Sequence, residues 1–109
     1  MKWKIEFFNE TVETDTLSLP AKILAKTLRI FEMIEEHGPY LGKPYTDAFG
    51  DGLFEVRAKG AEGIGRSFFC YSNGKKIIIL HSFVKKTQKT PHKEIEIALK
   101  RKKEIEHDK

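Results

Sequence analysis

Leu53-Phe54-Glu55-Val56-Arg57-Ala58-Lys59, Arg66-Ser67-Phe68-Phe69-Cys70-Tyr71 and Lys76-Ile77-Ile78-Ile79-Leu80-His81-Ser82-Phe83-Val84 are strand-length runs that follow one another in the chain. In the first, Phe54, Val56 and Ala58 fall on one face and Glu55, Arg57 and Lys59 on the other, the period of two expected of a half-buried strand. The loop from Gly60 to Gly65 joins it to the second run, and Ser72-Asn73-Gly74-Lys75 carries an Asn-Gly hairpin signal before the third. The Ile-rich centre of the third run lacks clean alternation, so it reads as the central strand, buried on both faces. Runs joined by such short turns predict an antiparallel meander.

Upstream, Trp3, Ile5 and Phe7 alternate with Lys2, Lys4 and Glu6, which predicts another strand. Asn9 ends it and can cap a short helix reaching Leu17 or Leu19. Pro20 suits a first helical turn. Beyond it Ile23, Leu24, Leu28, Phe31 and Ile34 recur at helical spacing and predict one buried stripe, closed by Gly38-Pro39. His37 at the helix end reads as a C-terminal cap residue. Residues 40–52 are turn-rich, with a short strand expected from Tyr45 to Phe49. After the meander, Pro91 opens a last helix to about His107, whose Ile95, Leu99 and Ile105 form a thin apolar stripe, so light docking is expected. The fold class is α+β: an N-terminal strand and two helices, a three- to four-strand antiparallel meander and a C-terminal helix, with the helices on one face of the sheet. The 109 residues make one domain, 1–109.

Composition narrows the function. Hydrophobic residues are 39% and aromatics 11%, enough for one core and too many for a disordered chain. The longest apolar run, Ile77 to Leu80, is far short of the roughly 20 residues of a membrane helix. The N-terminus lacks the apolar stretch of a signal peptide, and a cytoplasmic location is expected. One cysteine, Cys70, rules out an internal disulfide and a cysteine-based zinc site. It reads as a packed thiol. Residues 1–52 hold 6 Lys/Arg and 9 Asp/Glu, whereas residues 53–109 hold 14 and 7. The densest stretch, Lys85-Lys86-Thr87-Gln88-Lys89-Thr90-Pro91-His92-Lys93, contains no acid. Such a half suits a polyanion.

Strand pairing would place Arg66 beside Arg57 or Glu55 on an exposed sheet face, with Lys85 or Lys86 at its rim. Guanidinium forks grip phosphate oxygens in pairs. A carboxylate such as Glu55 can take the proton of a ribose 2′-hydroxyl. The plain alternative is a surface ion pair between Glu55 and an arginine, worth little. His81 and His92 could each serve as acid or base. No histidine pair has metal-ligand spacing, and no dinucleotide or P-loop fingerprint is present. Phe83, beside the lysines, is the best candidate for stacking on a base. Phe68, Phe69 and Tyr71 read as packing residues.

Leu53-Phe54-Glu55-Val56-Arg57, Gly65-Arg66-x-Phe68-Phe69 and the long phrase Ile79 to Pro91 together resemble the HigB-type branch of the RelE/ParE toxin superfamily, often met as phage-derived or host-inhibition toxins. The resemblance spans nearly the whole chain and is most specific from His81 to Pro91. It implies the toxin of a type II toxin–antitoxin pair, a messenger-RNA endonuclease acting in the ribosomal decoding site without metal or other cofactor. The 2′-hydroxyl would attack the adjacent phosphate and leave a 2′,3′-cyclic phosphate and a 5′-hydroxyl. By position, Arg57 and Arg66 match the family's sheet-face cations, and Lys86 lies near the place of a further cation after the last strand, with Lys85 as the neighbouring alternative. Glu55 falls where relatives carry either an acid or a lysine, and His92 lies nearest the family's C-terminal tyrosine or histidine. Glu55, Arg57, Arg66, Lys86 and His92 are therefore the expected catalytic set. Lys59, Phe83, Lys85, Lys89 and Lys93 are the expected RNA contacts. The implied partners are a HigA-like helix-turn-helix antitoxin of Xre type, the ribosome and the message; no membrane is implied. The acidic N-terminal half and the exposed helices are the expected antitoxin surface. Relatives of ParE type bind DNA gyrase instead, and a non-catalytic RNA-binding module is a third possibility.

Overall fold

A computed structural model describes residues 2–107. The elements are β1 (Lys4–Phe7), α1 (Glu10–Leu17), α2 (Ala21–His37), β2 (Thr46–Gly50), β3 (Leu53–Gly60), β4 (Gly63–Ser72), β5 (Lys76–Lys85) and α3 (His92–His107). They form one five-stranded sheet in the order β1-β5-β4-β3-β2. Strands β2 to β5 are the expected meander, and β1 joins it by pairing parallel to β5, Ile5 opposite Ile77. The middle strand is therefore β4, not β5. Strand β5 is still interior, because β1 covers its other edge, and Ile77, Ile79 and Leu80 are fully buried.

Local chemistry sets the ends of the helices. The Asn9 side chain accepts from the Val12 amide at 2.9 Å and starts α1. Pro20 is the residue before α2, not its first turn, and Gly38 closes α2 with a φ of 91° that glycine adopts freely. The buried stripe of α2 is Ile23, Thr27, Ile30, Phe31 and Ile34. Leu28, expected on it, is 39% exposed. Thr27 takes the buried slot instead, because its hydroxyl is satisfied by Ile23 O at 2.9 Å.

Helices cover both faces of the sheet, which corrects the one-face arrangement. Helices α1 and α2 pack on Phe54, Val56, Ala58, Phe69, Ile77 and Ile79. Helix α3 packs on the opposite face, with Ala98 fully buried and Ile95, Leu99 and Ile105 against Leu53, Phe68, Cys70 and Leu80. Arg101 Nη1 also donates to Leu80 O at 2.7 Å. The thin stripe suffices because small Ala98 lets the helix approach closely, and the aliphatic rim does the rest. Cys70 is buried as expected.

Close approach of α2 to the sheet depends on Gly65. A Cβ there would sit 2.3 Å from Cγ2 of fully buried Ile23. Gly65→Ala is expected to destabilise the fold by about 1–3 kcal/mol, the usual range for overpacking a core. A urea titration checks it; an unchanged midpoint would mean that α2 is free to retreat.

Candidate functional site

Strand pairing sets Arg57 opposite Arg66, Arg66 opposite Phe83, Glu55 opposite Phe68, and Phe68 opposite His81. Direct partners share a face, so these residues line the α3 side of the sheet. Glu55 Oε1 accepts from Arg57 Nη1 at 3.1 Å. Its Oε2 lies 3.6 Å from Arg66 Nε and accepts from Thr90 Oγ1 at 2.7 Å. Arg57 Nη2 and Arg66 Nη2 both donate to the carbonyl of Gln88, each at 2.8 Å. Arg66 Nη2 also donates to the carbonyl of Thr87.

The expected exposed face is in fact covered. Glu55 and Arg66 have no solvent-exposed side-chain surface. Residues 86–90 turn back from the end of β5 and lie over the cluster, and α3 closes the neighbouring part of the face. The pair is thus not a surface ion pair. Removing Arg66 would leave the Glu55 carboxylate buried without its main partner, which costs about 3–5 kcal/mol.

Burial shapes the ionisation of both groups. It pushes the Glu55 carboxyl above its ordinary value, against the opposing pull of Thr90, Arg57 and Arg66. It lowers the Arg66 guanidinium from its ordinary value, helped by repulsion from Arg57. Among the described residues, Nε and Nη1 of Arg66 have no hydrogen-bond acceptor. A buried guanidinium with unused donors, next to a second guanidinium, suits an anion with several oxygens.

A model of the family described as Phage derived protein Gp49-like (DUF891) matches residues 14–103. The chain belongs to that family. No curated protein matches it. The Gp49-like match includes every member of the cluster, and it agrees with the broad likeness to RelE/HigB-like toxins read from the sequence.

The other expected residues lie around this centre. Lys59 and Lys85 flank Ile64 in one row across β3, β4 and β5, and so extend the same face at its open end. Phe83 is half-buried and stacks on His81 at 5.2 Å between ring centres. Lys86 and Lys89 are exposed in the covering segment, and Lys93 is exposed in the first turn of α3. His92 is 80% exposed and lies 3.5 Å from Glu96, so it stands apart from the buried cluster. Among the described residues, no helix is long and apolar enough to cross a membrane.

Four contributors were not expected from the sequence. Thr90 seals Glu55, the carbonyls of Thr87 and Gln88 seal the arginines, and Glu94 holds His81 Nε2 at 2.7 Å. Thr90 and Glu94 carry a sequence signal only through their place around the Thr90-Pro91 helix start. A main-chain carbonyl carries none.

Proposed function

We propose that the chain is the toxin of a toxin–antitoxin pair and cleaves messenger RNA on the ribosome. The observation that carries this is the convergence of Arg57 and Arg66 on one carbonyl oxygen beside a buried carboxylate. A carbonyl oxygen is a fair stand-in for a phosphate oxygen, since both accept from a guanidinium fork. On binding, residues 87–90 lift and the scissile phosphate takes the places of the Thr87 and Gln88 carbonyls. The ribose 2′-oxygen forms a bond to phosphorus as the bond from phosphorus to the 5′-oxygen breaks. Glu55 accepts the 2′ proton, and the 5′-oxygen takes a proton from Lys86. Arg57 and Arg66 hold the charge that grows on the phosphoryl oxygens. HigB-type subclass and an Xre-type antitoxin belong to the same reading.

Mapping 5′ ends of cellular messages after induction tests it. Breaks phased with codons and ending in 5′-hydroxyls are expected. Intact messages with DNA-damage signalling would replace this reading with gyrase inhibition.

The lysines have a separate signature. Each phosphate contact on single-stranded RNA contributes about 0.7 to the slope of log affinity against log salt. Lys86→Ala and Lys89→Ala are each expected to flatten that slope by about this amount while leaving the fold unchanged. Slopes equal to wild type would show that these lysines only solubilise the loop.

A further inference from the structure

The cover over the arginines is held by few contacts. Lys86, Thr87, Gln88 and Lys89 are exposed, and no residue from 86 to 90 is apolar. The segment is fixed to the sheet by hydrogen bonds. Arg57 Nη2 and Arg66 Nη2 donate to the Gln88 carbonyl, Arg66 Nη2 donates to the Thr87 carbonyl, and Thr90 Oγ1 donates to Glu55 Oε2. Both flanks are anchored. Lys85 closes β5 in register with Ile64, and Glu94 in the first turn of α3 holds His81 at 2.7 Å. The segment can therefore rise in its middle while β5 and α3 stay in place.

The closed arrangement satisfies the site poorly. Two neutral carbonyls occupy the guanidiniums, yet Nε and Nη1 of Arg66 stay buried without an acceptor among the described residues. A charged oxygen takes such a hydrogen bond about twice as strongly as a neutral one. The segment also brings Lys86 and Lys89 to a site that already holds two guanidiniums and one carboxylate. Against this stands the Thr90 hydroxyl. Among the described contacts it is the one side chain of the segment that bonds to the sheet, and it occupies an oxygen of Glu55.

We propose that residues 87–90 are an autoinhibitory strap, a main-chain mimic of the phosphate, and that the Thr90–Glu55 hydrogen bond is its latch. The closed strap bars an isolated anion such as inorganic phosphate from the arginines. A polyanion opens it, because its further phosphates engage Lys86 and Lys89 while one displaces the carbonyls. The inference rests on the toxin reading only in taking RNA to be that polyanion. Loss of the hydroxyl acts on the closed form alone. Closed, Glu55 Oε2 would be buried beside a methyl group; open, water reaches it. Apparent anion affinity is set by the fraction of molecules that are open, so weakening the latch raises it.

The test uses the full chain. Nitrogen-15 relaxation reports strap mobility, and titration with inorganic phosphate reports access to the arginines. In wild type the amides of residues 87–90 should be as rigid as those of β5. Thr90→Val keeps the shape and drops the hydroxyl. Its strap should become mobile while β5 and α3 stay rigid, and phosphate should bind about tenfold tighter. Thr90→Ser keeps the hydroxyl and should behave as wild type. Adding Arg66→Lys to Thr90→Val should remove the gain. A strap already mobile in wild type overturns the inference without any variant. So does a Thr90→Val strap as rigid as wild type, or a phosphate affinity that stays the same as the strap loosens. A gain that survives Arg66→Lys would put the phosphate elsewhere and overturn it too. Strap mobility and phosphate affinity are read without RNA, so absence of message cleavage on ribosomes would sink the nuclease reading alone.

Discussion

Replacing Arg66 by lysine is expected to lower ribosome-dependent RNA cleavage about 100- to 1,000-fold, the usual loss when one donor to a transition-state oxyanion is removed. Lysine keeps the positive charge beside Glu55, so the buried carboxylate stays compensated. What it loses is the planar fork that spans two acceptors. Arg66 donates to two carbonyls and has unused donors at Nε and Nη1, so its geometry matters as much as its charge. Alanine is the wrong probe here. Arg66 is fully buried, and truncation would strip Glu55 of a buried counter-charge and open a cavity. Lost toxicity in Arg66→Ala would then report unfolding. Cleavage by Arg66→Lys within threefold of wild type, at an unchanged melting temperature, would remove Arg66 from the mechanism.

The second large effect concerns Glu55. If its carboxylate takes the 2′ proton, Glu55→Gln should slow cleavage about 100- to 10,000-fold, the range for a lost general base. The pH profile adds a sign. Burial raises the carboxyl above its ordinary value, so it ionises late. Wild-type cleavage should climb as pH rises through that raised value and then level off, and Glu55→Gln should lack the climb. Stability moves the other way. A folded value above the unfolded one means that the fold prefers protonated Glu55, so its contribution is fully present below the unfolded value and fades as pH rises through the folded one. The glutamine variant should lose this slope as well. A glutamine variant that cuts as fast as wild type, with the same profile, would leave Glu55 a purely structural clamp.

The sheet was legible because its runs obey simple rules. Alternation at Leu53 to Lys59 and the Asn73-Gly74 turn need no tertiary information, and the cross-strand approach of Arg57 and Arg66 follows from them. The second covered face was not legible. The stripe of α3 is thin, and its docking depends on the small size of Ala98 against Leu80 and Phe68, which periodicity does not weigh. The same gap hid the burial of Glu55 and Arg66. Their seal is made by the carbonyls of Thr87 and Gln88 and the hydroxyl of Thr90, in a stretch whose lysines point to a polyanion and not to a cover. Charge patterning found the basic segment, and only the coordinates turn it from a flanking patch into a cover.

That cover makes the central claim testable in one structure. The protein should be imaged on a ribosome whose message is 2′-O-methylated at the decoding-site codon, which blocks attack and retains the phosphate. A phosphate within hydrogen-bond reach of Arg57 and Arg66, with residues 87–90 lifted from both guanidiniums, is the expected result. A message bound elsewhere, with the Thr87 and Gln88 carbonyls still on the arginines, would contradict the account.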